Sequence, residues 1–330
     1  MLQLQNNTPF AASMALFPNE DAIDTLYIMV RATFTIGKQW TLADEQLPPV
    51  EADEYWGEPG KSSIKYASDY HTGKLNTDVI MLGHACVPNG EEARQLDVSL
   101  AVGELRKTVR IFGDRQWQKS RITAPQPFKT MPLIYERAYG GTHIVDGEIS
   151  AVDARNPVGQ GFAGSLDSGE IDGMPLPNLE DPNHLITDPN QQPAPACFAA
   201  SAPHWQPRSD FAGTYDERWQ TQRAPYLPAD FDKRFYNMAH PDLVCSGFLT
   251  GGEPVAITHM HPRGNMTFNV PRVILNADVT MAGRSVKPPF NLETLLIEPN
   301  QLRLSMIWRA AVPCDKKALK ISDVTINMTR

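Results

Sequence analysis

Prolines are concentrated in one stretch of this chain, from Pro125 to Asp242. Of the 28 prolines in the 330-residue sequence, 15 lie there. Proline fixes φ and removes a backbone donor, so little of this stretch can form sheet or long helix. It is nevertheless rich in aromatic residues, including Trp205 and Trp219, in which disordered proline-rich linkers are poor. The sequence therefore predicts an ordered central segment of packed loops, and long loops in a compact domain are usually functional.

Alternation of apolar and polar residues predicts strands on both sides of this central segment. The pattern from Asp24 to Ile36 is typical of a long, half-buried strand. Leu96 to Val102 and Lys107 to Phe112 alternate around a Gly-Glu pair, which predicts a hairpin. A short apolar strand is predicted from Val79 to Cys86. Six further strands are predicted after the segment: 253–260, 266–270, 272–277, 292–298, 302–309 and 321–328.

These patterns predict a mainly β fold with little helix. Antiparallel sheets, arranged as a sandwich or barrel, are expected to flank the long ordered loop region, which is rich in Pro, Gly and aromatic residues. We expect one continuous body over residues 1–330, with an N-terminal β lobe at 24–124, the loop-rich segment at 125–242 and a C-terminal β lobe at 243–330. Within the loop-rich segment, Pro132 to Ala138 is predicted to be a strand. Residues 230–238 are predicted to form a short helix capped by Asp230.

The charge balance limits the classes of partner. The net charge of −8 argues against binding to nucleic acid or to an anionic membrane surface, because both need clustered Lys and Arg. The sequence has no apolar run long enough to span a bilayer and no recognisable signal peptide. The four cysteines are widely spaced, which favours buried structural thiols over disulfides or a zinc site. We therefore expect a cytoplasmic protein.

Few residues suggest catalysis. His259 and His261 can share one face of a strand, but two histidines are common by chance, and no metal site or cofactor is predicted. Glu136, Asp114 and Asp216 are acidic residues of the kind that hydrolases pair, as is the neighbouring Glu217. Each has an arginine within a residue or two in sequence, so ion pairs that hold loops together are the simpler interpretation. No catalytic residue is assigned.

Aromatic and arginine residues of the loops are the candidates for partner binding, because these residue types dominate interface hot spots. If they are exposed, aromatic residues of the loop-rich segment such as Tyr139 and Trp205 would each contribute about 2 kcal/mol or more to binding. If they are buried, they would contribute to stability instead. The residues predicted to bind a partner or to brace the loops are Trp56, Tyr135, Glu136, Arg137, Tyr139, Gly140, Gly141, Asn156, Phe162, Trp205, Arg208, Tyr215 and Trp219.

A series of motifs carries a family resemblance. EYWGEPGKSS, KLNTDVIMLGHACVPNG, VRIFGDRQW, PLIYERAYGG, NPVGQGF, LPNLEDP, HWQPRSDFAGTYDERW, LPADFDKRFYNMAHPD and GGEPV occur in this order. Together they resemble the family of unknown function numbered 2169, which is found in bacterial type VI secretion gene clusters. The resemblance runs from about Asp24 to Arg309. Cys197 stands where the family pattern suggests a glycine.

The resemblance implies an adaptor or chaperone. Such a protein would bind, in the cytoplasm, an effector whose tip region is similar to PAAR-repeat proteins, and would help to load it onto the spike trimer protein of the secretion machine. The family brings no catalytic residues. Two alternatives stay open: a hydrolase acting on carbohydrate or phosphoester through the loop carboxylates, and a structural component of the spike itself.

Overall fold

The computed structural model describes residues 3–37, 40–145, 148–163 and 171–329. The described chain is mainly β, with several antiparallel sheets and little helix, which confirms the predicted fold class. In the described residues the strands form three larger sheets and five two-stranded pairs.

The strands of the first half of the chain are β1 (Gln3–Asn6), β2 (Ala11–Pro18), β3 (Asp24–Thr35), β4 (Thr41–Leu42), β5 (Glu54–Tyr55), β6 (Ile64–Tyr66), β7 (Asp78–Met81), β8 (His84–Cys86), β9 (Gln95–Val102), β10 (Leu105–Phe112), β11 (Trp117–Gln118), β12 (Arg121–Ile122), β13 (Thr130–Pro132), β14 (Tyr139–Gly140), β15 (Thr142–Val145), β16 (Glu148–Val152) and β17 (Gln160–Gly161). The later strands are β18 (Leu179–Glu180), β19 (Pro254–Thr258), β20 (Met266–Asn269), β21 (Ile274–Met281), β22 (Arg284–Val286), β23 (Asn291–Glu298), β24 (Arg303–Pro313) and β25 (Ile321–Thr329).

The helices of the described residues are all short. The α-helix α1 (Glu217–Gln222) begins after Asp216, whose side chain accepts a hydrogen bond from the Trp219 amide at 2.7 Å. The 3-10 helices are Pro88–Gly90, Tyr135–Arg137, Arg208–Phe211, Lys233–Tyr236, Pro241–Leu243, Pro299–Gln301 and Asp315–Lys320.

The helix predicted over residues 230–238 is reduced to one 3-10 turn. That turn, Lys233–Tyr236, is capped by Asp232 rather than by Asp230. Asp230 instead accepts hydrogen bonds from the amide and hydroxyl of Thr214. The predicted cap is therefore wrong, because the carboxylate of Asp230 binds Thr214 and not the start of a helix.

The largest sheet has the order β2-β3-β24-β23-β7, with β4 beside β3. Its central strand β3 confirms the strand predicted from Asp24 to Ile36, but the predicted half-burial is wrong, since residues 25–34 are all buried. One face packs into the main core through Leu26, Ile28 and Val30. The loop after Gln46 contacts side chains of the other face: the Leu47 amide donates to Thr33 Oγ1 at 3.2 Å, and Arg31 Nη1 donates to the Pro48 carbonyl at 3.2 Å.

The second sheet has the order β18-β10-β9-β19-β20. It contains the predicted hairpin, because Val102 and Leu105 are paired across Gly103 and Glu104. Gly103 has φ +55°, a left-handed conformation that glycine adopts readily. The third sheet, β1-β25-β21-β22, places β1 parallel to β25 near the other end of the chain.

The large sheets combine strands from both predicted lobes. In the largest sheet β3 lies beside β24, and in the second sheet β9 lies beside β19. The predicted N-terminal and C-terminal lobes are therefore not separate sheets. Each of these pairs joins a strand that precedes the proline-rich segment to a strand that follows it. The segment is therefore inserted in the chain between strands that are neighbours in a sheet.

The proline-rich segment holds only short regular elements. Among its described residues the longest are β16, with five residues, and α1, with six. The strand predicted from Pro132 to Ala138 is wrong: β13 ends at Pro132, and Tyr135–Arg137 form a 3-10 helix. A second, smaller core combines Trp117, from before the segment, with five residues of the segment: Tyr139, Ala163, Ile171, Leu176 and Ile186.

The cysteines Cys86, Cys197, Cys245 and Cys314 are free and buried, which confirms the predicted structural thiols. Burial raises the pKa of the Cys197 thiol to about 12 and that of Cys245 to about 11. At neutral pH these thiols therefore stay protonated and behave as small apolar groups.

Charged side chains are buried between the largest sheet and the loops that cover it. We call Lys74, Asp78, Glu293 and Arg309 the ionic layer. Lys74 Nζ donates to Asp78 Oδ2 at 2.6 Å and to Thr294 Oγ1 at 2.7 Å. Arg309 Nε donates to Glu293 Oε2 at 2.8 Å. Buried charges need such partners, so this layer holds the covering loops in one arrangement.

Candidate functional site

A cleft of about 490 Å³ opens among the loops of the proline-rich segment. We call it the cleft. Its volume lies within the range of ordinary ligand-binding pockets, about 300–1,000 Å³. Its apolar walls include Tyr135, Ala194, Pro195, Pro207, Phe211 and Pro241. Its cationic and imidazole side chains are Arg155, Arg208, Arg234 and His240.

The cleft is attached to the ionic layer through Asp78. The side-chain amide of Asn237, which lines the cleft, donates to Asp78 Oδ1 at 2.9 Å and to the Asn76 carbonyl at 3.0 Å. The Met238 amide donates to Asp78 Oδ2 at 2.9 Å. The same carboxylate also binds Lys74. One buried carboxylate therefore joins the cleft loop to the edge strand β7.

Arg208 is the most buried cation of the cleft, with 6% of its surface exposed. It begins the 3-10 helix Arg208–Phe211. Its Nε donates to the Phe235 carbonyl at 2.9 Å and its Nη1 to the Ser201 carbonyl at 2.5 Å. Its guanidinium lies 5.1 Å from the centre of the Phe235 ring. Burial lowers the pKa of Arg208 to about 10, so the side chain still carries its charge at neutral pH.

The other two arginines of the cleft each have a carboxylate of their own. Arg155 binds Asp153 through Nε at 2.9 Å and Nη2 at 2.6 Å. Arg234 binds Asp232 through Nε at 2.8 Å and Nη2 at 2.5 Å, and lies 4.2 Å from the centre of the Phe211 ring. Both pairs use the two-donor geometry that suits arginine and carboxylate. Their charges are thus neutralised locally.

His240 lies at the start of the 3-10 helix Pro241–Leu243, where its ring accepts a hydrogen bond from the Asp242 amide. Lys107 Nζ approaches both ring nitrogens, at 3.2 and 3.3 Å, and donates to Asp242 Oδ2 at 3.0 Å. Burial, followed by the charge of Lys107, lowers the pKa of His240 to about 4. His240 is therefore neutral at physiological pH.

Tyr135 forms part of the wall of the cleft, and Trp205 packs behind it. Their rings meet edge to face with centroids 5.3 Å apart. Asn156, which is fully buried, holds the wall from behind: its amide donates to the Tyr135 carbonyl at 2.8 Å and to the Tyr139 carbonyl at 2.9 Å. Tyr135 and Arg208 are thus the two predicted site residues that line the cleft.

Several predicted residues brace loops instead of facing a partner. Trp205 and Tyr139 are 1% and 2% exposed, so they belong to the buried aromatics, which contribute to stability and not to contact with a partner. Gly140 has φ +144°, and a Cβ there would lie 2.2 Å from the Asn156 carbonyl oxygen. Gly141 is buried beside it, and Phe162 packs on the smaller core. Replacing Trp205 therefore tests packing rather than binding.

Other predicted aromatics are exposed, away from the residues that line the cleft. Trp56 is 40% exposed, with Lys65 Nζ 5.1 Å from its ring centre. Tyr215 is 54% exposed and meets Trp219 edge to face at 4.7 Å. Trp219 is partly buried and donates through Nε1 to the Tyr226 carbonyl at 2.8 Å. Trp56 and Tyr215 are therefore available for contact without rearrangement.

The candidate carboxylates have separate partners. Glu136 accepts hydrogen bonds from the amide and the hydroxyl of Ser63, both at 2.7 Å. Asp114 binds Arg137 at 3.2 Å, and Asp216 caps α1. None of them is among the residues that line the cleft. Glu136 is thus a loop brace, although its partner is a serine and not the neighbouring arginine.

His259 and His261 are used by the local backbone. His259 Nδ1 lies 2.7 Å from the Asp97 carbonyl, and the His261 ring accepts a hydrogen bond from the Arg263 amide at 3.2 Å. Within residues 3–37, 40–145, 148–163 and 171–329, no group of three or more His, Cys, Asp and Glu residues is placed to hold a metal ion.

The sequence prediction missed most of the polar residues of the cleft. Arg155, Arg234 and His240 each stand within two residues of an aspartate, which favours an ordinary ion pair over a site. Arg155 adjoins the motif NPVGQGF, and Arg234 and His240 lie within the motif FDKRFYNMAHPD. These motifs were the sequence signal that could have identified the three residues. What the sequence does not contain is the convergence of these distant motifs on one cleft.

The cleft can bind an anionic group beside apolar side chains. Among the described residues, Arg208 is the cleft arginine without a carboxylate within 4.0 Å, and aromatic rings lie against the guanidinium groups of Arg208 and Arg234. Such sites bind and orient a partner. None of the described helices is long and apolar enough to cross a membrane.

Comparison with protein families gives one match. The model of the family described as "Uncharacterized protein conserved in bacteria (DUF2169)" matches residues 21–309, most of the chain. The family resemblance carried by the motif series is thereby confirmed. Comparisons with curated proteins and with solved structures give no match.

Proposed function

We propose, because the chain belongs to the DUF2169 family of bacterial proteins, that it is a cytoplasmic adaptor or chaperone. Its partner is a type VI secretion effector with a PAAR-like tip region, which it helps to load onto the spike. The choice of partner is what the family resemblance of the motif series implies. The cleft supports a binding role.

The observation that carries the proposal is the construction of the cleft. Aromatic and proline side chains form its walls, three arginines converge on it, and its backbone is tied to the buried ionic layer through Asp78. A recess held in advance in this way reduces the ordering that binding requires. Aromatic and arginine side chains are also the commonest hot-spot residues of protein interfaces.

The exposed aromatics extend this surface in the proposal. Trp56 and Tyr215 are solvent-exposed, and contacts outside the central recess usually contribute little energy but help to exclude water. We assign them to the rim of the interface. The described carboxylates Glu136, Asp114 and Asp216 have separate partners, so no observation favours the hydrolase alternative.

Co-expression with the effector encoded beside it tests the proposal. We expect the effector to become soluble, to co-purify with this chain and to lose secretion when the gene is deleted. Equal solubility and equal secretion without this chain would contradict the proposal. A spike component would instead be found in stoichiometric amounts in secreted particles, whereas an adaptor stays mainly in the cell.

A further inference from the structure

We propose that Arg208 binds the carboxylate side chain of an Asp or Glu in an extended segment of the partner, seated in the cleft. The inference rests on the proposed function for the identity of the partner. The ligand chemistry, a single carboxylate flanked by apolar side chains, follows from the cleft itself.

The first reason is that the charge of Arg208 is buried but has no local counterion. In the described part of the chain, no carboxylate oxygen lies within 4.0 Å of its guanidinium. The carboxylates that act on it from further away are Asp53 and Asp78. Asp53 accepts a hydrogen bond from the Ser68 amide, and Asp78 is paired with Lys74. A buried cation is costly unless it is paired, and carboxylate is its best-matched partner.

The second reason is that the guanidinium is held in place while one of its donors, Nη2, has no hydrogen-bond acceptor among the described residues. Backbone carbonyls hold Nε and Nη1, and Phe235 fixes the plane of the group. Among the described residues, no acceptor takes a hydrogen bond from Nη2. Nη2 is not among the fully buried polar atoms that lack a partner, so it keeps accessible surface. A donor fixed in advance loses little entropy on binding.

The third reason concerns the charge of the ligand. Arg155 and Arg234 are neutralised by Asp153 and Asp232, so the cleft offers one uncompensated charge. A phosphate group carries about −1.5 to −2 charges and is usually bound by clusters of arginines. A single carboxylate matches one free arginine, which favours an acidic side chain over a phosphorylated one.

The walls define what accompanies the carboxylate. Pro195, Pro207 and Pro241 have no backbone amide to donate, and Phe211 and Tyr135 present ring surface. These walls make few hydrogen bonds to a peptide backbone and contact apolar side chains instead. We therefore expect apolar residues on either side of the acidic residue.

The first experiment measures affinity for the effector's tip region by calorimetry with three variants. Arg208→Gln should weaken binding by about 30-fold or more, because it leaves the partner's carboxylate buried and unpaired. Arg208→Lys keeps the charge but loses the planar guanidinium with its several donors, so its affinity should lie between those of Arg208→Gln and wild type. Arg110→Gln is the matched control, an arginine outside the cleft that already has a carboxylate in Asp97, and should weaken binding by less than about threefold.

The second experiment uses a small probe and does not depend on the effector. N-acetyl-glutamate N-methylamide is titrated against the protein by NMR, with its uncharged glutamine counterpart as control. We expect saturable shifts at Arg208 Nε–H with the glutamate probe, and none with the glutamine probe or in Arg208→Gln.

Outcomes of the two experiments separate the two proposals. Effector binding that is unchanged by Arg208→Gln, in a variant whose urea unfolding midpoint matches wild type, would overturn the inference and leave the adaptor proposal standing. Probe binding without any effector binding would support the carboxylate site and contradict the adaptor proposal. Equal shifts from glutamate and glutamine probes, or tighter binding of inorganic phosphate, would contradict a carboxylate site.

Discussion

Two buried arginines of this protein have opposite electrostatic surroundings. Arg309, in the ionic layer, is 3% exposed and donates to Glu293 at 2.8 Å. Arg208, in the cleft, is 6% exposed and donates to backbone carbonyls, with no carboxylate within 4.0 Å among the described residues. The two arginines are thus equally buried but unequally paired: Arg309 has a carboxylate within the fold, whereas we propose that Arg208 receives one from a partner.

The two regions are nevertheless connected. Asp78 binds Lys74 on the side of the ionic layer, and Asn237 and Met238 on the side of the cleft. The cleft is thus tied to the buried ionic layer of the largest sheet, although its own loops contain few ladder hydrogen bonds. Function placed on loops that a rigid scaffold positions is the common arrangement in binding proteins.

The largest expected effect follows from breaking this connection. Asp78→Ala removes the partner of a fully buried lysine and two hydrogen bonds to the cleft loop. We expect a loss of about 3–5 kcal/mol in the free energy of unfolding, measured with urea. The control is Asp97→Ala, which breaks a half-exposed pair with Arg110 and should lose less than about 1 kcal/mol. Similar losses in the two variants would contradict the structural role of Asp78.

The arginines themselves give the second prediction. Arg309→Gln leaves Glu293 buried and unpaired, so we expect a loss of about 3 kcal/mol in unfolding free energy. Arg208→Gln should change it by no more than about 1 kcal/mol, because removal of a buried charge offsets two lost hydrogen bonds. Chemical denaturation of both variants measures the difference. If Arg208→Gln is as destabilising as Arg309→Gln, then Arg208 is a structural residue.

The pH dependence of stability gives the third prediction. His240 has a pKa of about 4 in the folded protein, below the value of 6.5 expected in the unfolded chain. The unfolded state therefore binds a proton first, and stability is lost as the pH falls from about 6.5 to about 4. His240→Gln should remove about 1–3 kcal/mol of this loss. His204→Gln, at an exposed position, is the control for replacing an imidazole by an amide.

The smallest effects on stability are expected at the exposed aromatics. Trp56→Ala and Tyr215→Ala should each change the free energy of unfolding by less than about 0.5 kcal/mol, because neither side chain is buried. They should weaken effector binding by no more than about tenfold, as rim contacts do. A larger loss than that of Arg208→Gln would place the main contact on these aromatics and not in the cleft.

The sheets were predictable from the sequence because period-two patterns need no tertiary information. The β9–β10 hairpin and the length of β3 follow directly from that pattern. The pairing of β1 with β25 does not, since nothing local joins two ends of a chain. Nor does the burial of both faces of β3, because the loop after Gln46, which contacts the other face, has no regular pattern.

The candidate site was predictable only in part. Loop composition pointed to the correct segment, and Tyr135 and Arg208 were among the residues chosen. The apolar run before Glu136 resembles a strand, but β13 ends at Pro132 and Tyr135–Arg137 form a 3-10 helix. Local patterns also cannot distinguish Arg208, which lacks a carboxylate, from Arg155 and Arg234, which have one. That distinction exists only once the chain is folded.

Hydrogen exchange of this chain with and without the effector's tip region tests the central claim most directly. We expect amides of residues 201–212 and 233–244, which border the cleft, to exchange about tenfold more slowly or better in the complex. Strands β3 and β24 of the largest sheet should be unchanged. Protection confined to the β15–β16 hairpin, where Ile144 and Ile149 are exposed, would contradict the account, as would no protection at the cleft under saturating effector.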